Sequence, residues 1–418
     1  MESEGRMMPK ALKTTIKRFG GQRRRVRLTL SSGSTSVTPN DILRIRLPRG
    51  LVDLSTFGFT AKVGGVSGNK IMGGHTLIRR MGMTIGGVNV NFANNNWNHT
   101  AHAMNLASNG LEFDKGNLMS GMYPLDAAAL NDRIEFNYFP LSPMGMGLLW
   151  TEATGECEVD IAFDGSEPLI VPVGGDATET WSLSEIFAYV DVIDLEDDAY
   201  PKAVASALAR GQAYNKSVEL ATAVIQDNTA TNSVNVSTGC LDKVLVAPKL
   251  STYTTRQVQD SQQVYNDYLD FQSGITDMSG GNAEGFYVQI GGVSFPQYGH
   301  GQNFAELAQI TRSCYGASPY NYNKLFIEAP DASGSLLTNE VALTYDKDRF
   351  FTNNAVCLFP VGAFHEDGSE GGIDLSSGSA VIQVFTQGST LIARKVLIAG
   401  IHKSRVSVRA GQVVSFQT

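Results

Sequence analysis

The sequence predicts an all-β chain made of two successive halves of similar build, on three observations. Short runs alternating apolar and polar residues recur along the chain, bounded by clusters of Gly, Pro, Asn, Asp and Ser. The strand–helix alternation of a parallel sheet is missing. The tetrapeptide Ile85-Gly86-Gly87-Val88 returns as Ile290-Gly291-Gly292-Val293, 205 residues later in a chain of 418. Each copy follows a strand-like run, and a polar stretch and a helical segment ending at a glycine come after it: Asn96 to Gly110, then Asn303 to Gly316. A four-residue match has little weight in a Gly-rich chain; the shared order and spacing indicate a fused duplication.

Residues 1–22 read as an arm in which Leu12, Ile16 and Phe19 fall at helical spacing opposite Lys10, Lys13, Lys17 and Arg18. Gly20-Gly21 ends this short amphipathic helix, and Arg23 to Leu30 switches to alternation. Ile42–Leu47 alternates, Leu54–Val63 is aromatic and β-branched, and Ile134–Phe139 and Glu156–Phe163 alternate again. Trp181 to Ile193 closes the first half. Helical patterns are confined to Trp97–Ser108, Phe304–Ser313 and Pro201–Arg210, the last Ala-rich with Pro in its first turn. In the second half strands are expected at Ser217–Ile225, Leu241–Val246, Val264–Phe271, Phe286–Ile290, Leu325–Glu328 and Glu340–Tyr345. Further ones follow at Ala355–Phe359, Ala380–Thr386, Thr390–Ile398, Ser404–Val408 and Gln412–Phe416. Short strands at regular spacing make a sandwich or a barrel. The expected division is an arm over 1–22, a first domain over 23–200, a linker helix over 201–215 and a second domain over 216–418.

Charge is unevenly placed. Residues 1–50 hold 12 Lys/Arg and 3 Asp/Glu, whereas the other 368 hold 21 and 38. A basic arm on an acidic body calls for an anionic partner, nucleic acid or lipid headgroups, or else serves to clamp a neighbouring subunit. The contact residues are Lys10, Lys13, Lys17, Arg18, Arg23, Arg24, Arg25 and Arg27. Phe19 is the one aromatic among them, too few for stacking on single strands. Cys157, Cys240, Cys314 and Cys357 are far apart and read as free thiols of a reducing compartment. No apolar run reaches the ~18 residues of a membrane span, and the opening Met-Glu-Ser-Glu-Gly-Arg lacks a secretory core. The sequons at Asn98, Asn215 and Asn235 are therefore expected to stay unmodified.

Catalytic signatures are absent: there is no phosphate loop, dinucleotide fingerprint, nucleophile elbow or zinc spacing. His99 and His102 share a helix face without a third ligand, and the Asn-rich residues around them suggest a polar contact surface. The acidic run Asp191, Asp194, Glu196, Asp197 and Asp198 reads as a solvated turn between domains rather than a calcium loop. No metal, no cofactor and no enzymatic activity are expected.

The basic arm, the two β-rich halves and the free-thiol acidic body together resemble the double jelly-roll major capsid proteins of tailless icosahedral DNA viruses. Leu77 to Gly87 and Tyr189 to Asp194 are similar to strands of the first jelly roll in that family. Ile275 to Met278, Val288 to Pro296 and Glu370 to Gly378 are similar to stretches of the second. The likeness spans residues 25–418 in architecture. It implies two tandem eight-stranded jelly-roll sandwiches, a homotrimer forming a pseudo-hexagonal capsomer, and contacts with neighbouring capsomers and other capsid proteins. It also implies a place in the virion shell, assembled inside the host cell, with the arm turned toward an internal membrane or viral DNA. The competing expectation is a spike or lectin-like β-sandwich that binds receptor or carbohydrate; it needs an exposed aromatic cluster with nearby carboxylates, and Trp97, Trp150 and Trp181 are scattered.

Overall fold

The computed structural model describes residues 21–31, 35–65, 70–71, 73–91, 94–109, 125–126, 133–170, 178–196, 198–250, 286–295, 310–311, 314, 356–362, 371–376, 381–386, 394–409 and 412–417. The first half supplies β1 (Gly21–Arg27), β2 (Thr29–Leu30), β3 (Ile42–Arg46), β4 (Leu51–Gly64), β5 (Lys70–Ile71), β6 (Ile78–Ile85) and β7 (Val88–Val90). Helix α1 (Trp97–Asn109) precedes β8 (Leu125–Asp126), β9 (Arg133–Phe136) and β10 (Leu148–Trp150). A short helix α2 (Thr151–Thr154) then leads to β11 (Cys157–Phe163), β12 (Leu169–Ile170) and β13 (Ser182–Leu195). Helix α3 (Ala199–Ala209) comes next, followed by β14 (Tyr214–Asp227), β15 (Thr231–Val234), β16 (Leu241–Leu250), β17 (Phe286–Ile290) and β18 (Val293–Phe295). The chain ends through β19 (Cys357–Pro360), β20 (Ile382–Thr386), β21 (Arg394–Arg409) and β22 (Gln412–Gln417).

Each half is a sandwich, and the strand order repeats. One sheet of the first half runs β1-β13-β4-β10 with β9 also on β4; its counterpart runs β14-β21-β16-β19 with β22 on β21. The opposing sheets run β2-β3-β11-β6-β7 and β15-β20-β17-β18. A small sheet β12-β5-β8 belongs to the first half. All the pairings are antiparallel among the described residues.

The two Ile-Gly-Gly-Val copies have one structure. In each, Ile pairs with Val across the turn, and the glycines take φ 54° and 86° in one copy and 57° and 85° in the other. Positive φ at both central residues defines the turn whose twist matches antiparallel strands, which is why two glycines stand there.

The cores follow from alternation. Leu43 and Ile45 of β3 are buried between exposed Ile42, Arg44 and Arg46. Phe59 stacks on Phe136 at 4.1 Å and meets Phe163 edge-on. The second core gathers Val244, Val246, Phe359, Ile382, Val384 and Ile398. All three tryptophans are buried, and Trp97 and Trp181 donate their indole N–H to the carbonyls of Pro140 and Gly165.

Two expectations are corrected and one unexpected strand is added. Thr390–Ile398 and Ser404–Val408 are not separate strands: β21 runs unbroken from Arg394 to Arg409. Its polar middle is satisfied in place, His402 Nδ1 lying 2.9 Å from Ser404 Oγ and Nε2 3.3 Å from Thr222 Oγ1. Gly400 lets the strand pass where a Cβ would lie 3.0 Å from Val236. Strand β15, too polar to stand out, is held by buried Asn232, whose amide donates to Asn228 Oδ1 and the Thr229 carbonyl. Finally, Asp191 and Asp194 lie on β13, not in a solvated turn, and Asp191 is buried. The strands expected at Val264–Phe271, Leu325–Glu328 and Glu340–Tyr345, and most of the helix Phe304–Ser313, lie outside the described residues.

Candidate functional site

Two places concentrate polar chemistry: the outer face of the β1-β13-β4 sheet and the seam between the halves. Of the eight predicted contact residues, Lys10, Lys13, Lys17 and Arg18 lie outside the described residues, whereas Arg23, Arg24, Arg25 and Arg27 stand on β1. Strand alternation sends Arg23, Arg25 and Arg27 to the outer face and Val26 toward the core, against which it packs.

Antiparallel register with β13 brings these arginines to carboxylates. Arg23 Nη2 donates to Asp53 Oδ2 at 2.8 Å, and Arg25 Nε to Asp191 Oδ1 at 2.9 Å. Arg24 bonds Asp194 through Nε at 2.9 Å and Nη2 at 3.4 Å. That hydrogen bond, ahead of the plain charge attraction, holds the Asp194 carboxyl below its usual range. The anionic partners expected for three of these arginines are thus within the same chain, although the guanidiniums stay 55–62% exposed.

The outer face continues through aromatic rings. The Arg25 guanidinium lies 4.8 Å from the Tyr189 ring, and Arg27 and Arg133 lie 4.0 and 4.3 Å from that of Phe187. The Tyr189 hydroxyl donates to Glu135, and burial, with that bond, pushes its pKa up. Gly58, opposite Tyr189 in the ladder, leaves room for the phenol: a Cβ there would meet its oxygen at 2.6 Å. The ladder is irregular between Ser184 and Phe187. There Glu185 takes φ 49°, held by Arg133 donating to its carbonyl at 2.7 Å and its carboxylate at 2.8 Å.

The seam is built by α1, whose described side chains are buried from Trp97 to Ala107 except half-buried Met104. Trp97 and Ala101 belong to the first core; Ala103 and Ala107 pack on Ala221, Leu245, Ala247 and Ala399 of the second half. Here the expected polar contact surface is corrected: Asn94, Asn98, His99, His102 and Asn105 are all buried. Asn98 donates to Asp164 Oδ2 at 2.6 Å, and Asn96 donates across the seam to the Ala223 carbonyl at 3.2 Å. The buried Lys249 ammonium of β16 sits 3.4 Å from His99 Nδ1, and His75 Nε2 sits 3.4 Å from His102 Nδ1. Burial first, then the Lys249 charge, lowers His99 well below an ordinary histidine and takes His102 to about 3; burial and His102 do the same to His75. These are neutral imidazoles, and among the described residues no group of three or more His, Cys, Asp or Glu could hold a metal ion.

Compared by sequence, the chain matches no family model and no curated protein. Compared by structure it is similar to PBCV-1 VP54, as fitted into a reconstruction of the virophage Sputnik, with TM-score 0.60 and 11% identity over 94% of this chain and 96% of that one. The quasi-atomic PBCV-1 capsid gives 0.58 and 10% over the same shares. The Faustovirus major capsid protein gives 0.52 and 9% over 95% and 91%. The fold is a double jelly roll. Likeness along nearly the whole of both chains means that the double jelly roll includes both sandwiches and the seam joining them.

Proposed function

We propose that this chain is a major capsid protein, a structural subunit without turnover that trimerises into pseudo-hexagonal capsomers of an icosahedral virion shell. The observation that carries this is the strand order repeated within one chain, in a fold shared end to end with the VP54 and Faustovirus capsid proteins. A fused pair supplies two similar wedges that vary separately, so three chains fill a nearly sixfold position under true threefold symmetry. Its partners are two further copies, neighbouring capsomers and other capsid proteins. The glycan-binding alternative gains nothing from the tryptophans, since Trp97, Trp150 and Trp181 are all buried.

The arm divides by role. Arg23, Arg24 and Arg25 anchor its root to Asp53, Asp191 and Asp194. Lys10, Lys13, Lys17 and Arg18 then provide the charge that meets the internal membrane or genome.

Light scattering and negative staining of the purified chain test the assembly: a trimer of hexagonal outline is expected, and a glycan-binding monomer overturns it. For the arm, replacing its four basic residues 10, 13, 17 and 18 by Ala should abolish flotation with anionic liposomes or retention of duplex DNA, whichever the parent shows. Loss of neither overturns the inward-facing arm.

A further inference from the structure

Two strands hold the same place in the two halves: β1 lies on β13 as β14 lies on β21. Different forces hold them. Val218, Leu220, Ala221 and Ala223 of β14 are buried, so that strand is part of the cores. Every residue of β1 is exposed except half-buried Val26, and burial of apolar surface contributes little to its attachment. What attaches β1 is its ladder with β13, from Gly21 opposite Leu195 to Arg27 opposite Tyr189. The ion pairs of Arg23, Arg24 and Arg25 with Asp53, Asp194 and Asp191 complete the attachment.

We infer that β1 is a strap latched by charge, which lifts from β13 while both sandwiches stay folded. Its use rests on the arm reading above, which it deepens. Seven extended residues at about 3.3 Å each add roughly 20 Å to the reach of the basic residues that precede them. Lifting stops at Leu28, which is buried in the first core and whose N–H donates to the Ala188 carbonyl at 2.8 Å. Strand β13 loses one neighbour and keeps the other, since its ladder with β4 runs from Ser182 to Ile193.

The forces suit a reversible latch. Opening breaks ladder hydrogen bonds, but water replaces them, so the net cost of each is small. Asp53 and Asp191 are buried beside these arginines, and opening returns both carboxylates to water, which offsets part of the lost attraction. The Arg24–Asp194 pair is 62% and 52% exposed, where dissolved ions screen it. Arg25 and Arg27 lie over the rings of Tyr189 and Phe187, contacts that are weak at an exposed surface. Segments with few buried apolar contacts and solvent-facing hydrogen bonds open far more readily than the whole fold. The equivalent strand β14 lacks these properties, so the asymmetry within the repeat marks β1 as the movable one.

Amide hydrogen exchange of the full-length chain tests the strap, at about 0.1 and about 1 M NaCl, between which the screening length falls from about 10 Å to about 3 Å. The β1 amides should exchange at least about tenfold faster in the higher salt, while those of β14, the internal standard, keep their rate. Arg23→Gln, Arg24→Gln and Arg25→Gln together should give the fast rate in low salt and remove the salt response, with β4 and β14 protected as in the parent. If that variant also loses protection at β4, the salt response of the parent decides alone. The strap is overturned by β1 amides as slow as those of β14 at both salt concentrations, or by a salt response undiminished in the triple variant. No ligand takes part, so a salt-indifferent β1 leaves the arm's charge reading intact. An arm that binds neither anionic liposomes nor duplex DNA overturns that reading alone.

Discussion

Acid should loosen this molecule through its histidines. His75, His99, His102 and His402 are each 2–5% exposed, and burial lowers all four, His102 to about 3 and His402 to about 4. In the unfolded chain each titrates near 6.5. A depressed folded value means that the stability is fully present above the unfolded pKa and is lost as pH falls toward the folded one. Between pH 6.5 and 5 the unfolded chain takes up a proton at His102 and at His402 that the native fold refuses, costing about 1.5 kcal/mol for each. His102 and His402 together give about 3 kcal/mol, a sizeable share of the stability of a domain, and His75 and His99, lowered by the same burial, act in the same direction. Asp160, raised by burial, acts in the opposite sense, as one group against four. Urea unfolding at pH 7, 6 and 5, followed by fluorescence of buried Trp97 and Trp181, measures the loss. The His102→Gln, His402→Gln variant should lose about 3 kcal/mol less than the parent between pH 7 and 5, because two of the sites no longer titrate. Equal stability at pH 7 and 5, or an unchanged loss in the double variant, refutes the reasoning.

Three further outcomes are expected. Gly87→Val and Gly292→Val, both at positive φ with open space around the Cβ, should each cost about 1–2 kcal/mol in denaturant unfolding, the same in both copies because the turn is the same. Ala247→Leu on the seam, where α1 packs on the sheet, should cost about 1–3 kcal/mol by overpacking in the same assay. Ellman's reagent at pH 8 should modify Cys240 promptly and the other three thiols only on unfolding, since burial raises Cys157 to about 11 and Cys314 and Cys357 to about 12.

Local chemistry was legible where it decides structure locally. The paired glycines announce their hairpins, the β-branched runs announce β4 and β13, and Pro201 with its alanines announces α3. What escaped depends on partners distant in sequence. Arg25 meets Asp191 across 166 positions and Arg24 meets Asp194 across 170, so an arm that looks like bare positive charge has its root already neutralised. His99, Asn96 and Asn98 look like surface because their partners come from far along the chain, Lys249 from β16, Ala223 from β14 and Asp164 from just after β11. The polar stretch His402-Lys403-Ser404 reads as a break only until Thr222 of β14 is placed beside it.

The seam shows why such polar residues stand where leucines would be more stabilising. Ala103 and Ala107 against Ala221, Ala247 and Ala399 make a close, flat contact that sets the distance between the halves but not their register. Directional groups set the register: the Asn96 amide on the Ala223 carbonyl, and Lys249 beside His99. Buried polar groups cost stability and fix one arrangement out of many, which a subunit repeated throughout a lattice requires. The same burial keeps those imidazoles neutral, so the residues that hold the two sandwiches in register are also the ones through which acid acts on them.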